Sequence, residues 1–154
     1  MPEDDGYDAA RAVFNGMIDK KPAVVIQCQD VNDVQAGVNL AREAGLPVAV
    51  RGGGHNAAGL GTCDDGVVLD LGRMNGVRVD PGTGRVGAGG AVWGDVDHAA
   101  QPFGLAVPAG IISSTGVGGL TLGGGFGHLS RAYGLTCDNL ISADVVTADG
   151  NRPG

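Results

Sequence analysis

Residues 51–59 of the chain read RGGGHNAAG and directly follow an apolar stretch, residues 47–50, that predicts a buried strand. Three consecutive glycines lose much backbone entropy on folding, so they occur where the main chain needs unusual dihedral angles or lies against a ligand. Backbone N–H groups in a row just beyond a strand end form a natural cradle for a phosphate. We therefore predict a cofactor loop here, with His55 bonded to the cofactor.

The composition indicates one globular domain whose glycines are unevenly distributed. The 154 residues are 43% hydrophobic and 18% charged, which is typical of a folded domain. Of the 30 glycines, 26 lie from Gly52 onward, so we expect regular structure in the N-terminal third and ligand-contacting loops in the rest. The net charge of −7 argues against a nucleic-acid-binding protein.

Neither a metal site nor a membrane span is expected. The three cysteines lack metal-ligand spacing. Residues 103–127 are uncharged, but they include nine glycines and Pro108, which favours a buried or ligand-lining loop over a spanning helix. Residues 1–10 are acidic and lack an apolar core, so we predict no signal peptide and expect a bacterial cytoplasmic protein.

The N-terminal third predicts a strand–helix–strand unit. Residues 8–18 are weakly helical, and residues 22–27 read as a short buried strand. Asp30 caps the next helix and Gly45 ends it, with apolar residues at helical spacing between them. Together with the strand at residues 47–50, this pattern predicts parallel strands joined by a right-handed crossover.

Short strands and turns dominate the pattern after the glycine loop. The predicted elements are a strand at residues 67–71, a hairpin of residues 77–80 and 85–88, a helix at residues 91–101 and a strand at residues 140–148. Asp149 and Gly150 then give a hairpin turn signal. Because a strand before such a turn needs a partner and only four residues remain, we expect a fragment of a longer protein.

The glycine segments allow more than one interpretation. Residues 52–57 formally fit the Gly-x-Gly-x-x-Ala dinucleotide pattern, but that pattern must open a helix, and here a strand follows. A second segment, residues 115–127, is explained equally well by tight packing and by ligand contact. Two such segments in one chain favour a long ligand with phosphates in its middle, held from both sides.

Five motifs in order carry a family resemblance. They are RGGGHNAAG at residues 51–59, VVLDLGRMNGVRVD at 67–80, VGAGGAVWGDV at 86–96, FGLAVPAG at 103–110 and STGVGGLTLGGGFGHLSRAYGLTCDNLISADVVTADG at 114–150. This order resembles the PCMH-type FAD-binding domain of the vanillyl-alcohol-oxidase superfamily. Within it, the chain is most similar to the berberine-bridge-enzyme-like oxidases, especially the bacterial 6-hydroxy-D-nicotine-oxidase-like group, over residues 20–150.

The resemblance implies an α+β fold of two lobes with FAD between them. A small parallel βαβ lobe would occupy about residues 1–55, and a mainly antiparallel sheet lobe about residues 56–154. The implied protein is an FAD-linked oxidoreductase, either an oxidase or a dehydrogenase, that moves hydride from a small organic substrate to flavin. Its substrate domain, which in this family supplies most of the pocket and the catalytic base, would be absent here, so we name no catalytic residue.

The resemblance also implies which residues contact FAD. The first glycine loop would bind the pyrophosphate, and His55 would be bonded to the 8α-methyl carbon of the flavin. Residues 115–120 would pass along the other side of the pyrophosphate and the flavin ring, and Val146 would lie near the adenosine end. The implied contact residues are Arg51, Gly52, Gly53, Gly54, His55, Asn56, Gly59, Thr115, Gly116, Gly118, Gly119, Leu120 and Val146.

One departure from the family pattern concerns a second flavin link. Members with two covalent links carry a cysteine four residues before the glycine that opens the Gly-Val-Gly-Gly run. Counting back from Gly116 gives Ile112, which cannot form a thioether. The resemblance therefore implies a single link, through His55.

Two other readings remain open at the level of sequence. The chain is alternatively an apo or noncovalent nucleotide-binding fragment without activity of its own, or a noncovalent relative resembling the UDP-N-acetylenolpyruvoylglucosamine reductases. The expected partner is a small-molecule substrate, reached through the missing domain, and a second copy of the chain in a homo-oligomer is a further candidate partner.

Overall fold

A computed structural model describes residues 1–153, and its centre is a three-stranded parallel sheet. The strands are β1 (Val24–Gln27), β2 (Val48–Arg51), β3 (Val67–Asp70), β4 (Val77–Asp80) and β5 (Arg85–Ala88). The sheet order is β1-β3-β2, so β3 lies between the two strands that precede it in sequence. The parallel sheet thus includes residues on both sides of residue 55, where the sequence places the boundary between two lobes.

One long helix packs on the parallel sheet, and the other helices are shorter. The helices are α1 (Tyr7–Arg11), α2 (Val31–Ala44), α3 (Trp93–Ala100), α4 (Val117–Leu122) and α5 (Ser130–Tyr133). The caps predicted for α2 are confirmed, because the Asp30 carboxylate accepts from the backbone N–H groups of Asn32 and Asp33, and Gly45 ends the helix with a φ of 66°.

The core lies between α2 and the parallel sheet. Cys28, Ala41, Val67 and Leu69 are completely buried there and pack as one cluster. Apolar residues on one face of α2 meet the same face of β1 and β3, as the helical spacing predicts.

The predicted hairpin and the helix around Trp93 are also confirmed. Strands β4 and β5 pair antiparallel, with Val79 opposite Val86. At the start of α3, the Asp95 carboxylate accepts from the Val92 N–H at 3.2 Å. The combination of parallel sheet, antiparallel hairpin and helices confirms the α+β class.

Two predicted elements are wrong. The helix at residues 8–18 stops at Arg11, because Ala12 turns extended and the Phe14 N–H donates to the Gly54 carbonyl instead of continuing the helix. Residues 140–148 form no strand, since no partner strand pairs with them among residues 1–153. The turn at Gly150 does form, and Gln35 of α2 donates to its carbonyl at 2.7 Å.

No helix within residues 1–153 combines the length and the apolar character that crossing a bilayer requires.

Candidate cofactor site

A cavity of about 400 Å³ lies at the carboxyl ends of the three parallel strands. Gln27, Arg51 and Asp70 are the last residues of β1, β2 and β3, and the pairing register places them side by side. All three line the cavity, together with residues 52–55, Ser114 and part of the N-terminal segment up to Phe14. Ligands of parallel sheets bind at this edge because the loops that follow the strands converge there.

Arg51 is buried and links the end of β2 to the end of β3 and to the N-terminal segment. Its guanidinium donates to the Asp70 carboxylate at 2.9 Å, to the Ala12 carbonyl at 3.2 Å and to the Ala10 carbonyl. Only 6% of the Arg51 side chain and 19% of the Asp70 side chain are exposed. These contacts are internal to the protein, and they fix the N-terminal segment against the end of β2.

The two glycine segments touch each other through their backbones. A Cβ atom on Gly53 would lie 2.4 Å from the Gly116 nitrogen, and one on Gly116 would lie 2.3 Å from the Gly53 nitrogen. The second segment is held in place by α3, since the N–H groups of Trp93 and Gly94 donate to the carbonyls of Thr115 and Ser113. At Gly53 and Gly116, therefore, glycine is required by packing.

Beside this contact, several backbone N–H groups have no backbone hydrogen-bond acceptor within residues 1–153. The N–H groups of residues 52–56 find no backbone acceptor among residues 1–153, nor do those of Gly118 and Gly119 in the first turn of α4. A Cβ atom on either of these two α4 glycines would meet nothing within 4 Å. Open N–H groups from two facing segments are what a phosphate-bearing ligand needs, because each oxygen accepts several such bonds.

His55 stands at the junction of the two segments. Its Nε2 lies 3.0 Å from the Ser114 Oγ, and its Nδ1 lies 3.5 Å from the Thr115 Oγ1. The Phe14 ring stacks on the imidazole with 4.0 Å between centroids and 17° between planes. The half-buried ring is thus held at its edge by the second segment and on its face by the N-terminal segment.

The remaining predicted residues lie at different distances from this junction. The Asn56 carboxamide oxygen accepts from the N–H groups of Ala58 and Leu60, which closes the next turn. Gly59 adopts a φ of 73° beside Ile18, and Leu120 packs near Gly110.

Of the predicted contact residues, Arg51, Gly52, Gly53, Gly54 and His55 line the cavity, and the other eight do not. Val146 does not line it and belongs to the extended segment that ends on α2. Ile112 is half exposed, and its carbonyl accepts from the Thr115 N–H.

Sequence reasoning missed eight residues that line the cavity, among them Phe14, Gln27, Asp70 and Ser114. Gln27 and Asp70 could have been found from the strand ends, had the position of β3 been known. Ser114 directly precedes the predicted Thr115, but nothing in the sequence marks Phe14. No group of three potential metal ligands comes together within the part of the chain that the structure describes.

Comparison with known proteins identifies the family. The family model described as an FAD binding domain matches residues 22–152. The (R)-6-hydroxynicotine oxidase of Paenarthrobacter nicotinovorans is 40% identical over 151 residues, which are 97% of this chain and 33% of that oxidase. The berberine bridge enzyme-like 9 protein of Arabidopsis thaliana is 35% identical over 144 residues, 89% of this chain and 27% of that protein.

Two solved structures share the fold. The 6-hydroxy-D-nicotine oxidase of Arthrobacter nicotinovorans matches with a TM-score of 0.97 and 39% identity, over 99% of this chain and 34% of that chain. The glucooligosaccharide oxidase of Acremonium strictum, whose FAD is described as 6-S-cysteinyl and 8α-N1-histidyl, matches with a TM-score of 0.91 and 32% identity, over 99% of this chain and 33% of that chain. The chain spans about a third of the length of these relatives.

The chain belongs to the family of PCMH-type FAD-binding domains found in berberine-bridge-enzyme-like, flavin-dependent oxidoreductases. The predicted family and fold are confirmed. The residues also fit FAD on physical grounds. Two facing glycine segments leave open N–H donors for a pyrophosphate, and a clamped imidazole lies next to them at the cavity wall.

Proposed function

We propose that the chain holds FAD through one covalent bond from His55 and serves as the flavin-binding part of an oxidoreductase that takes hydride from a small organic substrate. The observation that carries the proposal is the position of the His55 imidazole, at the junction of two glycine segments whose N–H groups are open. The relative whose FAD carries a histidyl link supports it as well.

Each part of the site has a separate task in this proposal. The N–H groups of residues 52–56, Gly118 and Gly119 bind the pyrophosphate oxygens from both sides. The contact between Gly53 and Gly116 keeps the two segments at a fixed separation. Arg51 holds the N-terminal segment against the sheet, so that Phe14 covers the imidazole face and limits its motion. Bound flavin supplies the hydride acceptor, a chemistry that no amino-acid side chain offers.

A single link follows from the chemistry of position 112. Isoleucine has no nucleophilic atom, so it cannot form the thioether that a cysteine forms. Cys28 is buried, Cys63 is partly buried under β3, and Cys137 follows α5 and the second glycine segment. In this proposal His55 is therefore the sole point of attachment.

The proposed parent protein is a longer, bacterial cytoplasmic enzyme with a substrate domain. The relatives are about three times as long as this chain. Large apolar side chains also remain exposed on its second half, Leu122 by 89% and Phe126 by 76%, where a further domain would cover them. The substrate-facing catalytic groups would come from that domain.

Mass and absorption spectra of the purified chain, incubated with FAD and then denatured, test the proposal. We expect the mass to rise by one FAD, less the two hydrogen atoms that the new bond displaces, and yellow colour to stay with the unfolded protein. His55→Ala should lose both signals. His98→Ala is the matched control, because His98 is exposed on α3, away from the cavity.

The outcome also decides between the two candidate functions. FAD that binds reversibly but is released on denaturation would contradict the covalent bond and keep the flavin-binding function. A folded, colourless chain would favour an apo fragment, a candidate that the large exposed apolar surface supports.

A further inference from the structure

We propose that Ser114 sets the tautomer of His55 by holding the proton on Nε2, which leaves Nδ1 with a free lone pair. The proposal rests on covalent attachment through His55 and adds a positioning residue to that step. Ser114 is not among the residues that the family pattern singled out. It is exposed, and its hydroxyl oxygen lies closer to the His55 ring nitrogens than the Thr115 hydroxyl oxygen does.

The two ring nitrogens of His55 have unequal partners. The separation of 3.0 Å between Nε2 and the Ser114 Oγ falls within the ordinary range for an N–H···O bond. The 3.5 Å between Nδ1 and the Thr115 Oγ1 lies beyond that range. A neutral imidazole has one N–H donor and one acceptor nitrogen.

These distances favour a proton on Nε2. An N–H group without a partner is rarer in folded proteins than an acceptor without one. If Nδ1 carried the proton, its N–H would have only the distant Thr115 hydroxyl. If Nε2 carries it, the proton is donated to Ser114, whose own O–H turns to solvent. In a histidine with two distinct nitrogens, the hydrogen bond made by one nitrogen determines the role of the other.

Attachment requires a nitrogen with a free lone pair. The new bond joins that nitrogen to the 8α-methyl carbon of the flavin and replaces one C–H bond of the methyl group and the N–H bond of the imidazole. The two protons leave to solvent, while the two electrons remain on the flavin ring until dioxygen accepts them. Because the nitrogen that bonds must be unprotonated, Ser114 selects Nδ1 by holding the proton on Nε2.

Phe14 complements Ser114 by restricting a different motion of the His55 ring. Its stacking on the imidazole face limits tilting, whereas the Ser114 contact limits rotation about the ring axis. The reacting nitrogen therefore keeps one orientation before flavin arrives.

The tautomer can be measured without any flavin. The chain, labelled with ¹⁵N-histidine, is studied by NMR at about pH 8, where a free imidazole is neutral. We expect the wild-type His55 spectrum of an Nε2–H tautomer and a mixture of both tautomers in Ser114→Ala. Ser114→Thr should restore the wild-type pattern. Ser113→Ala is the matched control, since the hydroxyl of Ser113 makes no hydrogen bond to the His55 ring. A wild-type Nδ1–H tautomer, or a Ser114→Ala spectrum identical to wild type, would overturn the proposal.

The rate of attachment gives the second readout. With FAD at a concentration that saturates both proteins, we expect Ser114→Ala to form the covalent adduct about tenfold more slowly than wild type, as for other groups that orient a reactive histidine. NMR of the isolated flavin peptide should show the bond at Nδ1. A bond at Nε2, or an unchanged rate, would contradict the role of Ser114. If wild type never forms an adduct, the proposed function fails, while the NMR spectra still decide the tautomer.

Discussion

The first 100 residues and residues 101–153 differ in where their apolar side chains lie. Every buried hydrophobic residue belongs to the first region: Cys28, Ala41, Ala49, Val67, Val68, Leu69, Ala91, Trp93, Val96 and Ala100. In the second region the large apolar side chains Leu122, Phe126, Tyr133 and Ile141 are each at least 65% exposed. A sheet and a long helix offer two faces that bury one another. Helices of four to six residues joined by glycines do not.

The difference teaches that two regions of similar apolar content can owe their order to different forces. Burial stabilises the sheet and α2, whereas the second region depends on turn hydrogen bonds and on its contact with the first glycine loop. Segments with few buried contacts open at lower free energy than the global unfolding. We therefore expect the half of the candidate site formed by Thr115 and the α4 glycines to open at lower free energy than the half formed by the first glycine loop.

Truncating one leucine in each region tests whether burial stabilises the first region more than the second. Leu69 is completely buried, so Leu69→Ala should lower the free energy of unfolding by about 3 kcal/mol, through lost burial and the cavity it leaves. Leu122→Ala, at an 89% exposed position, should change it by less than about 0.5 kcal/mol. Urea unfolding followed by circular dichroism measures both. Equal losses would mean that the second region has a core of its own.

Two glycine substitutions sharpen the same comparison at the contact between the regions. Gly53→Ala places a methyl group in steric conflict with the Gly116 backbone. It should lower the free energy of unfolding by about 2 kcal/mol, because neither main chain can move aside easily.

Gly118→Ala is the matched control for this substitution. Its Cβ would enter open space inside α4, so it should raise stability by about 0.5 kcal/mol through better helix propensity. A loss at Gly118 similar to that at Gly53 would show that the two glycine positions are constrained alike.

Cysteine labelling compares the two regions without any substitution. Burial, with lesser contributions from the charges of Asp33 and Asp70, raises the pKa of Cys28 to about 11. The thiolate is the reactive form, so at about pH 8 Cys28 should react with iodoacetamide at least a hundredfold more slowly than a thiol of ordinary pKa. Cys137 is exposed and should be modified first. Peptide mass spectra over time measure the order. Rapid labelling of Cys28 would mean that the sheet side opens readily.

Raising the pH should reduce the difference in labelling rate between Cys28 and the exposed Cys137. Its thiolate fraction grows about tenfold for each pH unit below a pKa of about 11, so its labelling rate should climb accordingly. A flat dependence would point instead to slow opening of the core as the limiting step.

Local patterns in the sequence predicted most of the elements correctly. The caps Asp30 and Gly45, the hairpin and the helix at Trp93 depend on neighbouring residues, so a short window of sequence contains what decides them. Residues 12–18 were predicted wrongly because the bonds that end α1 come from Arg51 and Gly54, about forty residues away. Residues 140–148 have strand-like composition, but a strand exists only when a partner offers its hydrogen bonds.

The sequence by itself determined the glycine loop, the histidine that follows it and the family to which the chain belongs. These features depend only on residue types in a fixed order, so they can be read from the sequence without a structure. The tertiary structure alone decided that β3 enters the middle of the sheet, that Gly53 meets Gly116, and that Phe14 and Ser114 hold the His55 ring. Each of these contacts joins segments far apart in sequence, so only the folded packing of sheet, loop and N-terminal segment brings them together.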